Sequence, residues 1–135
     1  MSTVPTLKIF GIKHYSTNIL FFRAKVVGRS MEPTFKKGSY VVIKKVPFGN
    51  IRLFDIIAFY SVYHDSLIMH RVRNLHKQQN ILQYVITKGD NNAYIDPWIV
   101  YQDMYVGIVQ INKLANYLSL IFSRNFSFMN VFRKV

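Results

Sequence analysis

Three kinds of side chain in this sequence have types suited to proton transfer and nucleophilic attack: a serine in a stiff loop, four histidines and six acids. The serine is Ser30, in Gly28-Arg29-Ser30-Met31-Glu32-Pro33-Thr34, between an apolar run from Ile19 to Val27 and a second at Tyr40–Ile43. Pro33 fixes its own φ and pushes Glu32 out of the helical region, while Gly28 frees the backbone on the other side, so the loop is stiff and open. A serine in a turn ordinarily makes local hydrogen bonds, and it becomes a nucleophile only if the chain supplies a base. Of the histidines, His14 lies in the N-terminal segment, His64-Asp65 reads as a hairpin turn, and His76 opens the turn Lys77-Gln78-Gln79-Asn80. His70 differs. It sits inside the strand-like run Leu67–Val72, where its orientation is fixed. An imidazole hydrogen-bonded to a serine takes its proton, and an acid on the other ring nitrogen fixes the tautomer.

The acids are few enough to sort one by one. Glu32 is too near Ser30 in sequence to reach round to a base. Asp55 stands at a strand entry, where capping backbone amides is the ordinary role; Asp65 is in the hairpin and Asp103 precedes the last strand. Asp90 and Asp96 remain, both in Lys88-Gly89-Asp90-Asn91-Asn92-Ala93-Tyr94-Ile95-Asp96-Pro97. Such a loop usually makes its own turn hydrogen bonds. Its resemblance to a calcium loop is superficial, because the ligand spacing and distal Glu are missing, so no metal site is expected.

Positioning these residues falls to short apolar segments rich in Val, Ile, Phe and Tyr, separated by turn formers, which is the pattern of strands. Strands are expected near Lys8–Ile12, Ile19–Val27, Ser39–Lys45, Ile56–Ser61, Leu67–Leu75, Ile81–Thr87 and Met104–Ile111, giving a mainly antiparallel β fold with a C-terminal helix. At 135 residues, with no linker or repeat, the chain suits one domain, its core near residues 19–111 and an amphipathic segment over 113–135. In that segment Leu114, Tyr117, Leu118, Ile121 and Phe122 fall on one helical face, followed by Phe126, Phe128, Met129, Val131 and Phe132. The stripe either packs on the core or lies on a membrane.

Composition narrows the partners. There is no cysteine, which excludes disulfides, thiolate metal sites and a cysteine nucleophile. The net charge of +12 attracts phosphate, yet the basic residues are scattered and no nucleic-acid or nucleotide motif is present, so an anionic membrane surface is expected rather than nucleic acid. The first fifteen residues lack the apolar core of a secretory signal, and Met104–Ser123 is interrupted by Gln110, Asn112, Lys113 and Asn116, so no spanning segment is expected.

Four blocks in order, Gly28–Thr34, Asp55–Phe59, His70–Val72 and Thr87–Asn92, resemble type I signal peptidases and the related self-cleaving repressor peptidases. The common base of that superfamily is a lysine; serine–histidine members of the endoplasmic reticulum, archaea and some Gram-positive bacteria carry His-Arg-Val there, as this chain does at residues 70–72. The resemblance implies Ser30 as nucleophile, His70 as general base and Asp96 as third member, with Asp90 supporting the site or substituting for Asp96. It implies no cofactor, and an extended leader or signal peptide as substrate, cut after small residues beside an open strand, with Gly28 and Met31 in the binding groove. Family members are normally anchored, so the expectation here is a peripheral protein at a membrane surface or on a membrane-anchored partner, the alternative being cytoplasmic. The rival from another class is a basic β module that binds membrane or nucleic acid without catalysis.

Overall fold

The computed structural model describes residues 7–9 and 21–123. They form eight strands in a single antiparallel sheet ordered β1-β2-β3-β8-β4-β5-β6-β7, followed by one helix. The strands are β1 (Leu7–Ile9), β2 (Phe21–Val26), β3 (Tyr40–Lys44), β4 (Ile56–Ser61), β5 (Ser66–Gln78), β6 (Ile81–Lys88), β7 (Val100–Tyr101) and β8 (Tyr105–Val109), and α1 spans Lys113–Phe122. The mainly antiparallel β fold with a C-terminal helix is the one expected. Strand β5 runs on to Gln78, so His76 does not open a turn; it lies in the strand and stacks on Tyr84 at 4.5 Å between ring centres. The reversal is made by Gln79 and Asn80, both at positive φ (50° and 64°), the two-residue geometry that matches the twist of a hairpin. Strand β7 has no counterpart in the sequence reading. The parts of the expected first two strands at residues 10–12 and 19–20, and the apolar run from Phe126 to Phe132, lie outside the described residues.

Strand β4 shows why its sequence is apolar throughout. Ile56 and Ala58 join one core cluster with Ala24, Val26, Met31, Ile43 and Met69, while Ile57 and Phe59 join a second with Ile68, Val72, Val85 and Val100. Successive strand residues point to opposite faces, so a strand covered on both sides loses its polar positions. Edge-ward β3 keeps the alternation, with Val41 and Ile43 buried and Tyr40 and Val42 exposed. Strand β5 pairs with β4 along Ser66–Arg71, and with β6 only from Arg71 onward. No described strand is hydrogen-bonded to its second edge from Ser66 to His70, although β1 lies close to β5.

Helix α1 opens with Asn112, whose Oδ1 accepts from the Ala115 amide at 2.7 Å, an ordinary N-cap. Its apolar stripe faces outward: Leu114, Tyr117, Leu118 and Phe122 are all exposed, and no residue of the helix is buried. Over the described part of the stripe, then, these four side chains are turned to solvent rather than packed on the core, and Ile121 is half-buried. Among the described residues no helix is long and apolar enough to cross a membrane.

Candidate active site

Strand β2 ends at Val26, and the following turn carries Ser30, half-buried, between a strand and a chain reversal closed by the Phe35 amide on the Met31 carbonyl. The loop is held from the other side by the stretch after β6. The Asn91 amide donates to the Ser30 carbonyl at 2.8 Å, and its side-chain Nδ2 donates to the Arg29 carbonyl at 3.2 Å. Gly89 makes this approach possible, since a Cβ there would lie 2.7 Å from the Ser30 carbonyl oxygen and 2.6 Å from Asn92 Nδ2.

His70 and Arg71 are neighbours on β5 and therefore leave the sheet on opposite faces. His70 shares its face with Ile68 and Val72 of the second cluster and meets the Phe59 ring edge-on at 6.3 Å. Its Nε2 lies 3.1 Å from Ser30 Oγ, and its Nδ1 lies 2.5 Å from Asp96 Oδ2. A carboxylate only accepts, so Nδ1 carries the ring proton and Nε2 is left to accept the Ser30 hydroxyl. The His70 and Asp96 side chains are 2% and 4% exposed, which leaves water little access to the pair. Asp96 is fixed in turn by Thr87, whose hydroxyl donates to Oδ2 at 2.6 Å and whose carbonyl accepts the Asp96 amide at 2.8 Å. Thr87 is a part of the site that the sequence reading did not single out; its place opposite Val72, on the His70 face, is set by strand register.

The two acids left open by the sequence thus part company. Asp90 does not meet His70. It takes Arg71 in a two-pronged pair, from Nε at 2.9 Å and from Nη2 at 2.8 Å, and Oδ2 also accepts the Thr34 hydroxyl at 2.5 Å. Met31, expected in a binding groove, is fully buried in the core, and its sulfur accepts the Asp90 amide at 3.4 Å. A side chain with no exposed surface supports the loop from below and cannot line a groove. Gly28 is buried as well, beside the start of the loop. Asp55 accepts the Arg52 amide at 2.8 Å, the strand-entry role read from its position. Among the described residues no group of three His, Cys, Asp or Glu side chains could hold a metal ion.

The profile of one family, described as signal peptidase, peptidase S26, matches residues 3–89, more than half of the chain. The chain belongs to the signal peptidase family. Curated relatives agree. The signal peptidase complex catalytic subunit SEC11C of Homo sapiens is 35% identical over 71 residues, covering 53% of this chain and 37% of the relative. The putative subunit SEC11B of Homo sapiens is 34% identical over 76 residues, covering 56% of this chain and 46% of the relative. SEC11 of Eremothecium gossypii is 35% identical over 72 residues, 53% of this chain and 42% of its own length. The chain therefore spans less than half of each of these relatives, and no solved structure matches it. Ser30 and His70 fall inside the family match and Asp96 falls beyond it. For this signal peptidase relative, the place of Asp96 rests on the geometry alone.

Proposed function

We propose that this chain is a serine endopeptidase of the signal peptidase type, which removes N-terminal leader peptides by cutting after small residues, with Ser30 as nucleophile, His70 as general base and Asp96 as the acid that orients it. The observation that carries this reading is the unbroken line from Ser30 Oγ to His70 Nε2 at 3.1 Å and from His70 Nδ1 to Asp96 at 2.5 Å. His70 takes the hydroxyl proton as Ser30 attacks the peptide carbonyl, and returns it to the leaving amine as the acyl-enzyme forms. A water then attacks the ester, giving its proton to His70, which returns it to the Ser30 oxygen as the carboxylic acid product leaves. The Ser30 amide is the natural donor to the oxyanion, and loss of one such donor costs about 10²–10³ in rate. Asp90 serves the site at one remove, by holding the Ser30 loop.

An extended peptide needs a strand edge near the nucleophile. The edge of β5 from Ser66 to His70, to which no described strand is hydrogen-bonded, ends at the base itself. The charge of +12 and the outward stripe of α1 favour work at an anionic membrane surface, as a peripheral protein or beside an anchored partner, in keeping with relatives named as subunits of a signal peptidase complex.

The test is cleavage of a leader-bearing peptide by the full chain and by Ser30→Ala and His70→Ala. Both substitutions are expected to abolish turnover and leave the circular dichroism of the sheet unchanged; turnover retained by Ser30→Ala would refute the assignment. Sedimentation with anionic vesicles is run beside it. Vesicle binding without turnover by the unaltered chain would favour the non-catalytic basic module.

A further inference from the structure

The Arg71 side chain is fully buried and all five of its N–H donors have acceptors. Two go to Asp90, one goes to the Phe54 carbonyl at 3.0 Å, and the remaining two reach α1: Nη1 to Asn116 Oδ1 and Nη2 to Ser119 Oγ at 2.8 Å. Asn116 and Ser119 are three apart and so share one face of the helix. The Ser119 hydroxyl donates to the Asn116 carbonyl at 2.8 Å, which leaves its lone pairs turned to Arg71. Among the described residues, Ala115, Leu120 and Ile121 of the helix are half-buried, but no helix residue joins either core cluster. The helix buries none of its residues, and beneath it opens a cavity of about 240 Å³ lined by Asp55, Ile56, Ile108, Val109, Lys113 and Asn116.

From these contacts we propose that Asn116 and Ser119 are positioning residues for the Ser30 chemistry, acting through Arg71 and Asp90. The proposal rests on the reading of Ser30 as nucleophile. The path is continuous. The helix satisfies two guanidinium donors, the guanidinium fixes both Asp90 oxygens, Asp90 holds Thr34 by its carboxylate and Met31 by its amide, and Asn91 holds the Ser30 carbonyl. When α1 lets go, two buried donors lose their acceptors. A guanidinium in that state turns to find others and pulls Asp90 with it. His70 and Asp96, on the other face of β5, meet this path only at its end, through the Ser30 hydroxyl, so what loosens is the nucleophile and not the base. The apolar stripe of α1 faces away from Arg71, so a surface that captures the stripe leaves the inner contacts in place.

The experiment compares the full chain with Asn116→Ala/Ser119→Ala. A fluorophosphonate, which phosphonylates a reactive serine with loss of fluoride and needs no peptide groove, reads the nucleophile. A leader-type peptide gives kcat and KM. Amide exchange at Asn91 reads the loop without chemistry. The double variant is expected to label Ser30 about 10- to 100-fold more slowly, to lose kcat with KM held, and to exchange Asn91 faster while β4 amides stay protected. Ser119→Thr, which keeps the hydroxyl, is expected to label at the original rate, and Ser119→Ala alone serves if the double variant fails to fold. Original labelling and original Asn91 exchange in the substituted chain would overturn the proposal. Failure of the unaltered chain to label at Ser30 would overturn the nucleophile reading and this proposal with it, and is told apart because it precedes any substitution.

Discussion

Asp90 and Asp96 are two buried carboxylates whose substitution by Asn would have different consequences. Asp96 meets His70, and Asn in its place presents an amide that stabilises the wrong tautomer; Asp96→Asn is expected to lower kcat by about 10²–10⁴ with little change in the unfolding midpoint. Asp90 is the counter-ion of a fully buried Arg71, and removing one partner of such a pair leaves an uncompensated charge. Asp90→Asn is therefore expected to cost about 3–5 kcal/mol of stability. Denaturant titration beside steady-state kinetics checks both, and a midpoint unchanged by Asp90→Asn would sink the structural role assigned to it. The two residues could be shortlisted from sequence because only six acids exist and position in the chain sets the other four aside. They could not be told apart there, since the choice depends on which face of β5 each loop residue meets, and that is fixed by pairing between β5 and β6.

At the scale of elements, strand patterns were legible wherever one face is wet or both are covered. Strand β4 was read to its end residues, because its apolar run starts after Asp55 and is broken at Ser61. The extension of β5 past Leu75 was not, as His76, Lys77 and Gln78 are exposed and give no periodic signal. A two-residue strand such as β7 exists only through its partner, Val85 opposite Val100. Helical spacing located the stripe on α1 but carries no information on whether that stripe turns in or out; two hydrogen bonds from a buried arginine decide it. The β5–β6 reversal puts Gln79 and Asn80 in the left-handed region without a glycine, a strained state for side-chain-bearing residues. The pair Gln79→Asn with Asn80→Gly suits that geometry and is expected to raise stability by about 0.5 kcal/mol. Urea unfolding checks the sign, and a lowered midpoint would contradict the turn assignment.

For the whole molecule, the pH dependence of stability carries two legible signatures. Burial pushes the Tyr105 phenol up from 10.0 to about 12, with the Asp55 charge adding to the shift, while its hydroxyl donates to the Val46 carbonyl at 2.6 Å. Between those two values the folded chain keeps a proton that the unfolded chain releases. Its contribution is thus present below pH 10.0 and lost as pH rises toward 12. Tyr105→Phe is expected to flatten that part of the stability curve, read as urea midpoints at successive alkaline pH values. Burial also raises the Asp55 carboxyl above its ordinary range, which by the same sign makes its contribution fade as pH rises through the acid range.

Adjacent positions on β5 hand an imidazole to one side of the sheet and a guanidinium to the other. A slip of β5 by a single position against β4 would exchange them, sending the cation toward the hydroxyl and the ring toward the helix. Proof-reading of the strand alignment is thereby built into the site, because no misaligned copy can have both an imidazole facing the Ser30 hydroxyl and a braced loop. A one-codon insertion just upstream of residue 70 is the lesion this arrangement tolerates least.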